Sequence, residues 1–207
     1  MQSQQSDPAQ NQNTTSVIER LERAEQLKLT GQYEDALCIL EKLLVEDPEN
    51  VSALEEVADN ELSMEQLSRA EAAAARAVSL DKESYTGHYI LGFLLSQKEG
   101  WKKAHEHLQF ANKLKPNNPE ILRCLGWVLF NCGERAQGIV TLERSLNLES
   151  ENSLTLCDLG MAYLQAHNIS KAKALFMRSL ELDPENKRVQ ECVAAVERLE
   201  RDFVKQQ

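Results

Sequence analysis

Catalysis and metal binding need particular side chains at particular spacings, and this chain offers few of them. Its four histidines and five cysteines are spread along 207 residues. His105 and His107 are two positions apart; on a helix they point about 200° from each other and cannot share a metal. The cysteines are odd in number and lack CxxC spacing, which argues against a zinc module or a disulfide framework. Cys124 and Cys157 fall at nearly equivalent places in successive segments and read as small buried thiols. Glu55, Glu56 and Asp59 gather on one short stretch. Paired carboxylates can do acid–base work, but such a run ordinarily forms a solvated acidic face. No phosphate-cradling glycine loop, dinucleotide fingerprint, nucleophile elbow or HExxH helix occurs. The expectation is a chain that is not an enzyme, with no catalytic residue, no metal and no cofactor.

Composition narrows the class further. The formal net charge is −10, which argues against a nucleic-acid partner. No apolar run approaches the roughly 20 residues of a membrane span, so no direct membrane insertion is expected. The first residues, MQSQQSDPAQNQNTTS, lack the apolar core of a secretory signal. Together with thiols read as free, that points to a cytoplasmic location.

The elements that must position any site are set by a repeat. Ala36, Ala70, Ala104, Gly138 and Ala172 recur every 34 residues. Ala24, Ala58, Gly92, Gly126 and Gly160 keep the same step, as do Leu43, Ala77, Ala111, Ser145 and Ser179. Five units follow: 17–50, 51–84, 85–118, 119–152 and 153–186. The residues just before the unit starts, and the last one, are Ser16, Asn50, Ser84, Asn118, Asn152 and Asn186, all favoured N-caps. Ser16 with Glu19 reads as a capping box, and Pro119 suits a first helical position. Within a unit the apolar period is helical: Leu91, Leu94 and Leu95, then Ala104, Leu108 and Ala111. Gly31, Gly100 and Gly133, or His167-Asn168, mark the break between two helices. Each unit is thus a helical hairpin that cannot bury its apolar face alone, so the units must stack. Residues 187–205 carry a stripe of Val189, Cys192, Val193, Val196, Leu199 and Phe203 and read as a capping helix, or as a surface that docks another subunit. Residues 1–16 read as a disordered Gln/Asn/Ser-rich tail.

This pattern resembles the tetratricopeptide repeat family over 17–186 without a gap. The motif is clearest in LGFLLSQKEGWKKAHEHLQFANKLKP and LGMAYLQAHNISKAKALFMRSLELDP, and unit one keeps GQYEDALCILEKLLVEDP. Unit two departs from it at Glu61, where a large core residue is usual, and at Ala74, where an aromatic or Leu is usual. The resemblance implies an all-α, right-handed superhelical solenoid of five hairpins plus a C-terminal capping helix. It implies a concave groove lined by the first helices and a non-catalytic role in protein–protein interaction, as scaffold, adaptor or substrate-binding chaperone. The implied partner is a protein or peptide. The carboxylate-holding pattern of chaperone-binding members is not matched: the corresponding positions from unit one are Leu21, Glu25, Glu56, Thr86 and Ile90.

The hairpin core takes the fourth, seventh, eighth and eleventh residues of each first helix. The remaining face of units three to five carries Tyr89, Ile90, Phe93, Arg123, Trp127, Phe130, Asp158 and Met161. Aromatic anchors dominate binding energy at interfaces, so these eight form the candidate peptide-binding groove; the other reading is that the rings pack against neighbouring first helices. Charge is uneven. Units one and two carry −5 each and unit three +3, which could steer a basic partner or serve solubility. A second function class is a self-assembling structural protein, a homo-oligomer joined through its terminal helices.

Overall fold

The computed structural model describes residues 8–205, and side chains over 17–201. Eleven α-helices and no strand occur among the described residues. They are α1 (Pro8–Leu29), α2 (Tyr33–Glu46), α3 (Val51–Ser63), α4 (Leu67–Leu80), α5 (Tyr85–Gln97), α6 (Trp101–Leu114), α7 (Pro119–Asn131), α8 (Arg135–Leu148), α9 (Ser153–Gln165), α10 (Ile169–Leu182) and α11 (Lys187–Lys205). The odd-numbered helices open the repeats and the even-numbered ones close them.

The caps explain the register. The side-chain oxygens of Asn50, Asn118, Asn152 and Asn186 accept from the N–H groups of Ala53, Ile121, Thr155 and Val189 at 2.9–3.2 Å. Ser84 Oγ accepts from the Gly87 N–H at 3.0 Å. The sixth expected cap, Ser16, does not start a helix, because α1 begins at Pro8. A proline costs nothing at a first helical position, and the Gln, Asn and Ala after it can continue the helix. The stretch expected to be a disordered tail therefore overlaps α1 from position 8, and residues 1–7 lie outside the described residues.

The turn inside each hairpin follows one recipe. Gly31, Glu65, Glu99, Gly133 and His167 have φ of 76°, 59°, 57°, 97° and 60°. The next N–H reaches back to a carbonyl one turn inside the first helix: Gln32 to Leu27, Gln66 to Glu61, Gly100 to Leu95, Glu134 to Leu129 and Asn168 to Tyr163, at 2.8–3.0 Å. This is a left-handed C-terminal cap that satisfies otherwise orphaned carbonyls. In the third repeat the left-handed residue is Glu99, whereas Gly100, expected to mark the break, has φ −76° and starts α6.

The described residues fall into two compact units divided between Leu94 and Leu95, inside α5. In unit 1, Ala24, Leu27, Ala36, Leu40 and Leu43 fill the first hairpin. Ala58, Ala70 and Ala74, with Ile90 and Leu94, fill the space beside the second. In unit 2 the tightest crossing is α7 on α8. A Cβ on Gly138 would lie 2.7 Å from the Gly126 carbonyl oxygen and 2.6 Å from the Phe130 nitrogen, so only glycine lets these backbones meet. Beyond it, Phe130, Leu142, Leu159 and Ala162 form one cluster; Cys157, Ala172, Phe176, Val189 and Val196 form the next. Ser145 and Ser179 fill the small-residue positions and donate to the carbonyls of Pro119 and Ser153. Helix α11 covers the last hairpin through Val189 and Val196, while Ala194, which continues the Ala24-to-Gly160 series, is exposed.

Candidate peptide-binding site

The first-helix face of unit 2 is built by α7, α9 and α11. Arg123 stands on α7 with its guanidinium buried, and its Nη1 donates to Asp158 Oδ2 of α9 at 2.8 Å. Its Nε donates to Glu120 Oε2, one turn back, at 3.3 Å, and its Nη2 to the other Glu120 oxygen. Burial works to lower the Arg123 pKa; Cys124, Glu120 and Asp158 outweigh it and hold the guanidinium charged. A buried ion pair with both partners satisfied positions two helices. This group therefore braces α7 to α9.

The sulfurs of this face lie in the same unit. Cys192 of α11 donates its thiol to Met161 Sδ at 3.6 Å, and both pack against the cluster that holds Cys157. Burial, with Asp158, pushes the Cys157 thiol up to about 11, against the pull of Arg188 and Arg123. Burial raises Cys192 as well. Thiols held protonated are poor nucleophiles. Among the described residues, no three His, Cys, Asp or Glu side chains stand where they could hold a metal.

The eight expected groove residues separate by unit and by burial. In unit 1, Ile90 is 0% exposed and belongs to the core. Tyr89 and Phe93 are half-buried against the same cluster, their rings 6.5 Å apart. In unit 2, Phe130 is 2% exposed and is packed by Leu142, Leu159 and Ala162. The Trp127 ring, half-buried, lies nearly parallel to it, with centroids 6.2 Å apart. Met161 is half-buried too. Ile90 and Phe130 thus each shape the face of their own unit from beneath, Arg123 and Asp158 tie α7 to α9, and Trp127 and Met161 reach the surface of unit 2. Three apolar residues outside that set share this face: Leu154 is 52% exposed, Leu199 is 42% exposed and Leu164 is half-buried. A ranking by aromatic content passes over plain leucines, although their positions in the period place Leu154 and Leu164 here.

The acidic stretch of unit 1 is engaged in structure. Lys28 of α1 donates to Glu56 at 3.0 Å and to Asp59 at 2.7 Å. Glu55 accepts from Ser84 Oγ at 2.6 Å.

A family model for the tetratricopeptide repeat matches residues 155–186. Among solved structures, the fold is shared with TTC0263, a protein of this repeat class from Thermus thermophilus: TM-score 0.65, 23% identity, 86% of this chain and 97% of that one. It is shared also with YrrB, described as a protein of this repeat class with an unusual peptide-binding site: TM-score 0.60, 21% identity, 89% of this chain and 95% of that one.

Residues 155–186 match a tetratricopeptide repeat, and the chain shares the fold of proteins built from that repeat.

A curated relative, the human protein O-mannosyl-transferase TMTC1, is 24% identical over 180 residues, covering 83% of this chain and 20% of its own length. The chain spans about a fifth of the curated relatives it matches. In tetratricopeptide-repeat terms, the residues between the paired helices are large in four hairpins: Leu27 with Leu40, Leu95 with Leu108, Leu129 with Leu142, and Tyr163 with Phe176. The second has Glu61 with Ala74. No helix among the described residues is long and apolar enough to cross a membrane.

Proposed function

We propose that this protein is a non-catalytic interaction module of adaptor type, and that the first-helix face of unit 2 takes an apolar peptide or helix. The observation that carries this reading is the row of Trp127, Leu154, Met161, Leu164 and Leu199, all at least partly exposed on α7, α9 and α11. None of them fills a hairpin core position of the period. An amphipathic helix or extended segment buries its apolar residues on such a face, and a Trp is a typical anchor. The charges of Arg123 and Asp158 are neutralised within the face, which favours an apolar occupant over a carboxylate terminus. The likeness to YrrB supports a peptide as the class of ligand. The raised thiol pKa values of Cys157 and Cys192 support a site without covalent chemistry.

The test is selection of displayed random peptides on the full chain, with binding of the winners measured by calorimetry. Apolar sequences should win. Trp127→Glu, folded by circular dichroism, should weaken them about 30-fold, the size of one interface anchor. Equal binding to the variant would move the site elsewhere.

A further inference from the structure

Glu61 lies in the last turn of α3 and is 1% exposed, yet neither of its carboxylate oxygens accepts a hydrogen bond. Its charge partner is Arg69, in the first turn of α4, with Nε 3.0 Å from Oε1 but not aligned for a hydrogen bond. Arg69 is 62% exposed, and its Nη2 is 3.6 Å from Glu41 of α2. Beside Glu61, the Oδ1 of the fully buried Asn60 also lacks a partner. The helix that faces them contributes only Ala70, Ala74 and Ala77 as buried residues. The α3–α4 hairpin therefore combines a buried charge, which is costly without hydrogen bonds, with little of the apolar area that holds helices together. Its one compensating cation stands mostly in water.

We propose that α3–α4 is a latched hairpin, with Arg69 as the latch over Glu61, that opens locally while the hairpins α7–α8 and α9–α10 stay closed. When the latch lifts, Glu61 is hydrated and α3 separates from α4, carrying with it the half-buried carboxylates Glu55, Glu56 and Asp59. Local opening of this kind uses the low-stability parts of a fold. Because Arg69 is exposed, salt screens its hold on Glu61, and opening becomes more frequent as ionic strength rises. The device is independent of the peptide site proposed on unit 2.

Amide hydrogen exchange read by mass spectrometry on the full chain tests it, with wild type, Glu61→Leu, Arg69→Leu and the double variant, at low and high salt. In the wild type, α3–α4 peptides should exchange at least about tenfold faster than α7–α8 peptides, and faster still in high salt. Glu61→Leu should slow α3–α4 by about tenfold and remove the salt effect, leaving α7–α8 unchanged. Arg69→Leu should speed α3–α4 in the wild-type background and do nothing in the Glu61→Leu background. Equal protection of the two hairpins in the wild type would overturn the proposal. So would a Glu61→Leu variant that exchanges like wild type, or an Arg69→Leu effect of the same size in both backgrounds. If Arg69→Leu alone failed to fold, the wild-type salt series and Glu61→Leu would still decide.

Discussion

Glu55 shows what the first-helix face of unit 1 asks of a single carboxylate. Burial raises its pKa above the ordinary 4.5; the Ser84 hydroxyl pulls the other way, and Asp81 and Glu56 add to the rise. The folded state therefore holds this proton more tightly than the unfolded chain does. Above the raised pKa the ionised group opposes folding, and that opposition fades as pH falls toward 4.5. Glu55→Gln keeps an oxygen for Ser84 and removes the charge. It should raise the urea midpoint at neutral pH, and the gain should shrink to nothing below about pH 4.5; a gain independent of pH would mean that the charge is not the cause. Much of this scale was not legible in the sequence. The period put Arg123 and Asp158 on the right face, but nothing in their types says that each will turn toward the other across two helices. The same holds for Lys28, which reaches both Glu56 and Asp59. A face follows from the backbone; a partner follows from side-chain rotation, which the period does not encode.

Helices and turns were easier to read, because backbone chemistry repeats. Five of six expected caps hold their helix starts, since Asn and Ser oxygens match the orphan N–H groups. The left-handed turn residue was missed in two repeats. Its signal is Gly31 and Gly133, but Glu65 and Glu99 occupy the same place, and glutamate does not advertise positive φ. Gly100, one residue late, drew attention away from Glu99. A side chain in this region costs about 1–2 kcal/mol. Replacing Glu65, Glu99 and His167 by Gly should each stabilise the protein, by about 1 kcal/mol or less once the entropy of glycine is counted. The three residues sit in separate turns, each with its own capping hydrogen bonds, so the effects should add. Denaturant unfolding of the single and triple variants checks this, and a triple variant no more stable than wild type would show that the turns relax at no cost.

Across the whole molecule, charge and end chemistry act together. The net charge is −10, which opposes association of like copies. The side of α11 turned away from its hairpin presents exposed Gln190, Ala194 and Glu197, a polar surface of the kind that ends a stack of repeats. Light scattering should therefore give a mass near 23.4 kDa over a wide concentration range; a mass that grows with concentration would favour end-to-end assembly. The architecture was legible here, because five hairpins and a last helix follow from one period. The division within α5 was not, since that helix has the same 13 residues as α3, α7 and α9. The unbroken step from one Asn or Ser cap to the next also governs how such a gene can change. One residue inserted inside a helix turns every later side chain of that helix by about 100° and carries its leucines from core to water. Duplicating or deleting one whole period, cut at a cap, leaves every other residue facing as before. Unequal recombination between two Asn codons is thus a gentler edit to this chain than a single-codon slip between them.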